Sequence, residues 1–591
     1  MTNFSNLSHE DIHKMSEGIQ KWATDFFNTT SKSDIDPHNL SNQKRVAELM
    51  QKAMMKMFTQ NPVELWQAQV NLWQDYLNIW QKTLHNTLNP KAAAEEKVKD
   101  NRFKSDAWRE QPYFNFIKEC YLATSEHINT SVSKIEGLDE KTSKEVEFYT
   151  KQMVDALSPS NFVLTNPDVL EETVKTKGQN LVKGFENMLE DMKRNDGAGV
   201  TNFKMTDFDQ FTIGKNIAIT PGKVIFENKM LQLIQYSPQT EQVHETPLLI
   251  IPPFINKYYI LDLTQKKSFV SWIVNQGYTV FMISWVNPDE TYRDTQFEDY
   301  MTQGLLPSFD EVLKATAQKK LNVIGYCIGG TLLAATLSYL KQKRKNIINS
   351  VTYFTALIDY ADPGELGVFL SEAQVEDIIK EMNDIGYLDG RRLAASFNLL
   401  RSNDLIWNYY INNYLCGKEA FPFDLLYWNC DSTNMAAASH AYYLKEMYIN
   451  NNLSKPNALE FDGVKIDVSK VNIPTVFISA EKDHIAPWKG TYTGAKLLSG
   501  EIDFILGGSG HIAGIVNPPE KQKYGFRTND KLYNTPEEWE ETSTHHEGSW
   551  WPYWEESWLR SKSGEKIEAR HPQNAIEDAP GRYVKKSILD K

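Results

Sequence analysis

The sequence predicts an α/β protein: a mostly parallel sheet carrying a large insertion, preceded by a helical domain. Three observations predict it. Beyond about residue 200, apolar runs of strand length alternate with helical stretches, the pattern of a parallel sheet covered on both faces. One of these runs, Leu321-Asn-Val-Ile324, leads into Gly325-Tyr-Cys327-Ile-Gly-Gly330 and then a helical run from Thr331. Before residue 200 the apolar spacing is helical in two blocks, 1–90 and about 102–192.

Taken in chain order, residues 1–90 read as helix. Val63, Trp66, Val70, Trp73, Leu77, Trp80, Leu84 and Leu88 recur at three- and four-residue steps, a heptad-like seam with tryptophans one heptad apart. Two readings of the seam stay open: packing on its own domain, or meeting a partner helix or apolar body, since Trp is costly to leave in water. Asn89-Pro90 stops the helix, and Lys91 to Asn101 reads as a charged linker. A second helical block runs from about 102 to 192, broken at Ser158-Pro-Ser-Asn-Phe162 and Thr165-Asn-Pro167. The glycine-bearing stretch Lys193 to Gly199 is the expected boundary. The domains are therefore placed at 1–200 and 201–591.

Strands are expected at Lys223–Phe226, Thr246–Ile251, Tyr278–Trp285, Leu321–Gly325, Ser350–Ala356, Thr475–Ala480 and Asp503–Leu506. More than a hundred residues, rich in Tyr, Trp and Leu, separate Ala356 from Thr475. So long a segment needs structure of its own, and a cap over the site, at about 360–440, is its natural place. The tail from about 561 reads as polar and loop-like.

Composition narrows the function. At 591 residues the chain exceeds one compact core. A net charge of −14 argues against a nucleic-acid partner. No apolar run is long enough for a transmembrane helix, and the N-terminus shows no basic-then-apolar leader. Cys120, Cys327, Cys416 and Cys430 are too widely spaced for a zinc site or a disulfide framework. No metal is expected, and a reducing cytoplasm is the default compartment.

The Gly325 to Gly330 motif reads as the nucleophile elbow of an α/β-hydrolase, with cysteine in place of serine. A side chain two residues either side of the nucleophile would collide in so sharp a strand-to-helix turn. With 4 Cys and 30 Gly in the chain, chance supplies G-x-C-x-G about once in a hundred such sequences. A thiol nucleophile needs a base and a group to orient it. In this fold the acid and then the His follow later strands. Asp483 follows Thr475–Ala480, and His511 follows Asp503–Leu506 through a glycine-rich turn. Asp359 competes as the acid. His484, adjoining Asp483, is a candidate to line the same cleft, and His545 and His546 read as lying in a polar loop. The oxyanion hole is expected from the N–H of Ile328 and one from Pro252-Pro-Phe-Ile-Asn-Lys257, with Ile255 favoured.

These residues, with several longer motifs, resemble the class I polyhydroxyalkanoate synthases. The motifs are Asn101-Arg-Phe-Lys-Ser-Asp-Ala-Trp108, Pro159-Ser-Asn-Phe162, Pro252-Pro-Phe-Ile-Asn-Lys-Tyr-Tyr-Ile-Leu-Asp262, Gly325–Gly330, Pro363-Gly-Glu-Leu-Gly367, Asp424-Leu-Leu-Tyr-Trp-Asn429, Asp431-Ser-Thr-Asn434, Asp483-His484 and Gly510-His-Ile-Ala-Gly-Ile-Val-Asn-Pro-Pro519. Cys430 departs from the family pattern, where a small or hydroxylic residue is expected.

The resemblance implies an enzyme that polymerises (R)-3-hydroxyacyl-CoA, of the short-chain 3-hydroxybutyryl type, and releases CoA. CoA thioester is then substrate, and no cofactor is implied. The family's catalytic Cys, Asp and His fall on Cys327, Asp483 and His511. The resemblance further implies a cytoplasmic homodimer on storage granules, in contact with the growing polyester, the granule surface and granule-associated proteins. Two other readings remain beside it: a cysteine-dependent thioesterase or lactone hydrolase, and a non-catalytic granule-coat protein for which the Trp seam speaks.

Overall fold

The computed structural model describes residues 37–60, 62–88, 100–194 and 203–588. Residues 1–36, most of the linker expected after Asn89-Pro90, and 195–199 of the expected boundary lie outside them. The chain forms two compact units. One comprises residues 1–205 with 395–421, and the other 206–394 with 422–591. Residues 395–421 of the long insertion therefore belong to the first unit, whereas 360–394 and 422–440 belong to the second. No helix among the described residues is long and apolar enough to cross a membrane.

The first unit is helical: Pro37–Gln60, Pro62–Leu88, Pro112–Ser133, Glu140–Ala156, Pro167–Lys175 and Gln179–Arg194. Its breaks fall where Pro and Asn place them. Asn166 caps the helix that opens at Pro167, accepting from the N–H groups of Asp168 and Val169 at 3.0 and 3.3 Å. Trp108 is fully buried against Phe103, ring centroids 4.8 Å apart. Gly184 lets helix Gln179–Arg194 meet the Tyr414 carbonyl, which an added Cβ would reach at 1.7 Å.

The helix Pro62–Leu88 presents two apolar faces. Leu72 and Tyr76 turn inward, and the Tyr76 hydroxyl pairs with Thr124 Oγ1 at 2.6 Å. The heptad seam is the other face: Trp66, Trp73, Leu77, Trp80, Leu84 and Leu88 are exposed, Trp66 to 72%. The side chain of Val63 lies outside the description. Packing on its own domain is thus carried by residues beside the seam.

The second unit is built on an eleven-stranded sheet. In chain order its strands are β1 Gly222–Glu227, β2 Leu231–Tyr236, β3 Leu248–Ile251, β4 Val280–Trp285, β5 Leu321–Tyr326 and β6 Ile348–Phe354. They continue as β7 Thr475–Ala480, β8 Ile502–Gly507, β9 Phe526–Thr528, β10 Thr544–His546 and β11 Glu577–Asp578. The spatial order is β10-β9-β8-β7-β6-β5-β3-β4-β2-β1-β11. From β8 through to β4 every neighbouring pair is parallel, and both flanks are antiparallel. Apolar side chains from both faces fill two cores.

Each expected strand forms, within a residue or two at its ends. β2 was not expected, because Gln232 and Gln235 interrupt its apolar run. Both are buried. Gln232 Oε1 accepts from the N–H groups of Arg582 and Tyr583, each at 3.1 Å. The tail expected as loop is thus folded onto the sheet: β11 extends its edge, and Lys566–Glu568 pairs with Gln242–His244. His545 and His546 lie on β10 rather than in a loop, with His546 Nε2 2.8 Å from Thr528 Oγ1.

Candidate active site

Cys327 sits at the C-terminal end of β5, where the chain turns into the helix Ile328–Gln342. Its backbone is strained, at φ 53° and ψ −127°. Its N–H holds the turn by donating to the Phe354 carbonyl at 3.0 Å. The glycines permit the close approach the sequence implied. A Cβ on Gly325 would lie 2.7 Å from the Gly330 Cα, and one on Gly329 would lie 2.6 Å from the Pro252 carbonyl oxygen. The start of this helix therefore lies directly against the loop after β3.

Asp483 and His511 meet as the chain order predicts. His511 Nδ1 is 2.7 Å from Asp483 Oδ2. The carboxylate only accepts, so Nδ1 carries the proton and Nε2 is left for the thiol. Asp483 is fixed through its other oxygen, which accepts from the N–H groups of Ile485 and Ala486, both at 2.9 Å. Burial works against a charged His511 ring, but the Asp483 charge and the Cys327 sulfur outweigh it and raise the imidazole, so the ring holds a proton taken from the thiol.

Asp359 is occupied elsewhere: it accepts from Asn451 Nδ2 at 2.7 Å and from the Ala361 N–H at 2.9 Å. His484 lies in the Asp483 turn, with its carbonyl accepting from the Glu365 N–H at 3.2 Å. Among the described residues no group of three or more His, Cys, Asp or Glu gathers as a metal site.

The expected oxyanion donors lie on the two segments that Gly329 brings together. Ile328 is the first residue of its helix, so its N–H has no partner inside the helix. Ile255 follows the two prolines after β3. That loop is held by residues the sequence reading left without roles. Asn256, at φ 65°, donates its N–H to Thr433 Oγ1 at 2.8 Å. Lys257 Nζ pairs with Asp431 at 2.7 Å, and the Tyr259 hydroxyl donates to the same carboxylate at 2.8 Å. Trp428 Nε1 donates to the Lys257 carbonyl at 2.6 Å. The motifs Asp424–Asn429 and Asp431–Asn434 thus clamp the loop in place.

Lys257 and Asp431 are almost entirely buried. Removing one partner of such a pair strands the other's charge. Asp431→Ala is expected to lower stability by about 3–5 kcal/mol, read by urea unfolding. Replacing both residues by apolar ones should recover much of that loss.

The His511 loop has its own anchors. Trp550 and Trp551 Nε1 donate to the carbonyls of Gly514 and Ile515, both at 2.8 Å. Both indoles are buried.

A parallel sheet flanked by antiparallel edges, with a nucleophile elbow on its central strand, defines an α/β-hydrolase fold with cysteine at the nucleophile position. Residues 247–518 match the family model described as alpha/beta hydrolase fold. Residues 99–273 match that described as the N-terminus of poly-beta-hydroxybutyrate polymerase (PhaC). The chain is 44% identical over 490 residues to the poly(3-hydroxyalkanoate) polymerase subunit PhaC of Rhizobium etli, covering 82% of this chain and 76% of that protein. It is 45% identical to the poly(3-hydroxyalkanoate) polymerase of Methylorubrum extorquens, covering 82% and 80%. To the PhaC subunit of Cupriavidus necator it is 40% identical, covering 84% of each. The chain belongs to the poly(3-hydroxyalkanoate) polymerase family, and it is an enzyme of the acyltransferase type.

Proposed function

We propose that this enzyme polymerises short-chain (R)-3-hydroxyacyl-CoA, of the 3-hydroxybutyryl type, through an acyl thioester on Cys327. The observation that carries the reading is the His511–Asp483 pair, 2.7 Å apart, on loops that follow the strands beside the elbow at Cys327. His511 Nε2 takes the thiol proton, and the sulfur attacks the thioester carbonyl. The oxyanion rests on the N–H groups of Ile328 and Ile255. The C–S bond to CoA breaks, and the proton leaves with the CoA thiol. In the second half the 3-hydroxyl of another acyl unit gives its proton to His511 and attacks a thioester. A C–O ester bond forms as a C–S bond breaks. Exchange between thioesters is nearly balanced, so sulfur keeps the acyl group transferable where an oxygen ester would be a deeper sink.

Water has to be kept from the acyl-enzyme; residues 360–394 and 422–440 are the segments we assign to that task. Granule association and a homodimer accompany this reading, and the exposed tryptophans of Pro62–Leu88 suit an apolar partner. Purified protein given (R)-3-hydroxybutyryl-CoA is expected to turn turbid as CoA is released. Release of soluble 3-hydroxybutyrate alone would instead mark a cysteine hydrolase.

A further inference from the structure

Tyr326 stands between the nucleophile and the base. It is the last residue of β5, directly before Cys327, and it is buried. Its hydroxyl donates to the His511 carbonyl at 3.3 Å. Its ring tilts against the imidazole, with planes 32° apart and centroids 5.8 Å apart. A carbonyl only accepts, so the direction of this bond is fixed. Burial first, and then the charges of Cys327 and Asp483, hold the phenol well above the ordinary tyrosine range, so it keeps the proton it donates.

The ring is held in its turn. Phe354, its register partner on β6, meets it edge-on at 6.1 Å. Trp550 and Trp554 pack on Phe354, at 5.3 and 6.2 Å. Phe354 also serves the elbow through its backbone, since its carbonyl accepts the Cys327 N–H. On the other side of the bond, the Gly514 N–H donates to the Gly510 carbonyl at 2.7 Å, closing the turn that carries His511. Trp550 Nε1 donates to the Gly514 carbonyl. The turn is therefore held at two points, at Gly514 by Trp550 and at His511 itself by Tyr326.

The two side chains bonded to His511 divide the work of placing it. Asp483, at Nδ1, fixes how the ring is turned. Tyr326 fixes the backbone from which the ring projects, and it does so from the residue next to Cys327. The spacing of base and nucleophile is thereby referred to the nucleophile's own strand. A phenylalanine ring would fill the same space, so what tyrosine adds is the bond. A misplacement of about 1 Å can cost about 10²-fold in rate. A group that sets this spacing bears on every step that moves a proton through His511.

We propose that Tyr326 is a positioning residue of the reaction, whose hydroxyl sets the reach of His511 toward Cys327. It acts through the His511 backbone and touches no reacting atom. The inference rests on the reading of Cys327 and His511 as nucleophile and base.

Tyr326→Phe in the full chain removes one oxygen and leaves the ring contacts. With (R)-3-hydroxybutyryl-CoA its kcat is expected to fall roughly 5- to 10-fold, the worth of one ordinary hydrogen bond, with KM within about twofold of the wild type. A double-mutant cycle shows whether that loss passes through His511. Its readout is the rate at which iodoacetamide alkylates Cys327, followed on the Cys327 peptide, which needs no turnover. Tyr326→Phe should slow alkylation about fivefold in the wild type, but by less than about twofold in His511→Ala, which has no ring left to place. Equal slowing in both backgrounds, a rise in KM alone, or an unchanged kcat would overturn the inference while leaving the polymerase reading intact. If His511→Ala by itself alkylates and releases CoA at the wild-type rate, the reading of His511 as base falls, and this one with it.

Discussion

Cys327→Ala is expected to reduce CoA release from (R)-3-hydroxybutyryl-CoA by at least about 10⁴-fold. The thiol stands at the strained residue of the elbow, at the start of a helix pressed against the loop after β3. Cys120, Cys416 and Cys430 lie on other elements. Fold stability should change little, because Cys327 is partly exposed and Ala only shortens the side chain. A stopped assay of free CoA, with a melting curve as control, reads both effects. Retention of more than a few per cent of the wild-type rate would remove Cys327 from the nucleophile role.

Asp483→Asn is expected to separate the two halves of the cycle. The carboxylate fixes the Nδ1–H tautomer of His511 and supports the ring's positive charge. An amide can turn its NH₂ toward Nδ1 and leave the wrong nitrogen facing the thiol; in a serine triad that change costs about 10⁴-fold. Thiols are far more acidic than aliphatic alcohols and are intrinsically strong nucleophiles. Acylation of Cys327 should therefore fall only about 10²-fold, while attack by the 3-hydroxyl, which needs the full basicity of His511, should fall about 10⁴-fold. Rapid-quench measurement of the first CoA released, against the steady-state rate, distinguishes the steps. Equal losses would reduce Asp483 to an orienting role.

The central sheet and the placing of Cys327, Asp483 and His511 were legible because local signals coincide with them. β5, the elbow and the helix after it are contiguous, and Asp483 and His511 each follow a strand-length, mostly apolar run. What escaped the sequence depends on distant partners. β2 carries buried glutamines that make sense only with residues 577–583 folded beside them. The clamp on the loop after β3 joins Asn256 and Lys257 to Thr433 and Asp431, far along the chain. Trp550 and Trp551 read as an aromatic cluster, and their bonds to the His511 loop appear only in three dimensions. The heptad seam was correctly spaced as a helix face, but a helix with two apolar faces does not say which one its own unit covers. Here Leu72 and Tyr76 turn inward and the tryptophans stay exposed.

The central claim is that the growing polyester is held on the Cys327 sulfur. Enzyme quenched in acid during turnover of (R)-3-hydroxybutyryl-CoA, then digested and weighed peptide by peptide, tests it most directly. The account predicts that the peptide containing Cys327 carries whole 3-hydroxybutyryl units, removable by hydroxylamine. Steady CoA release with an unmodified Cys327 peptide, or acyl units on a different residue, would contradict it.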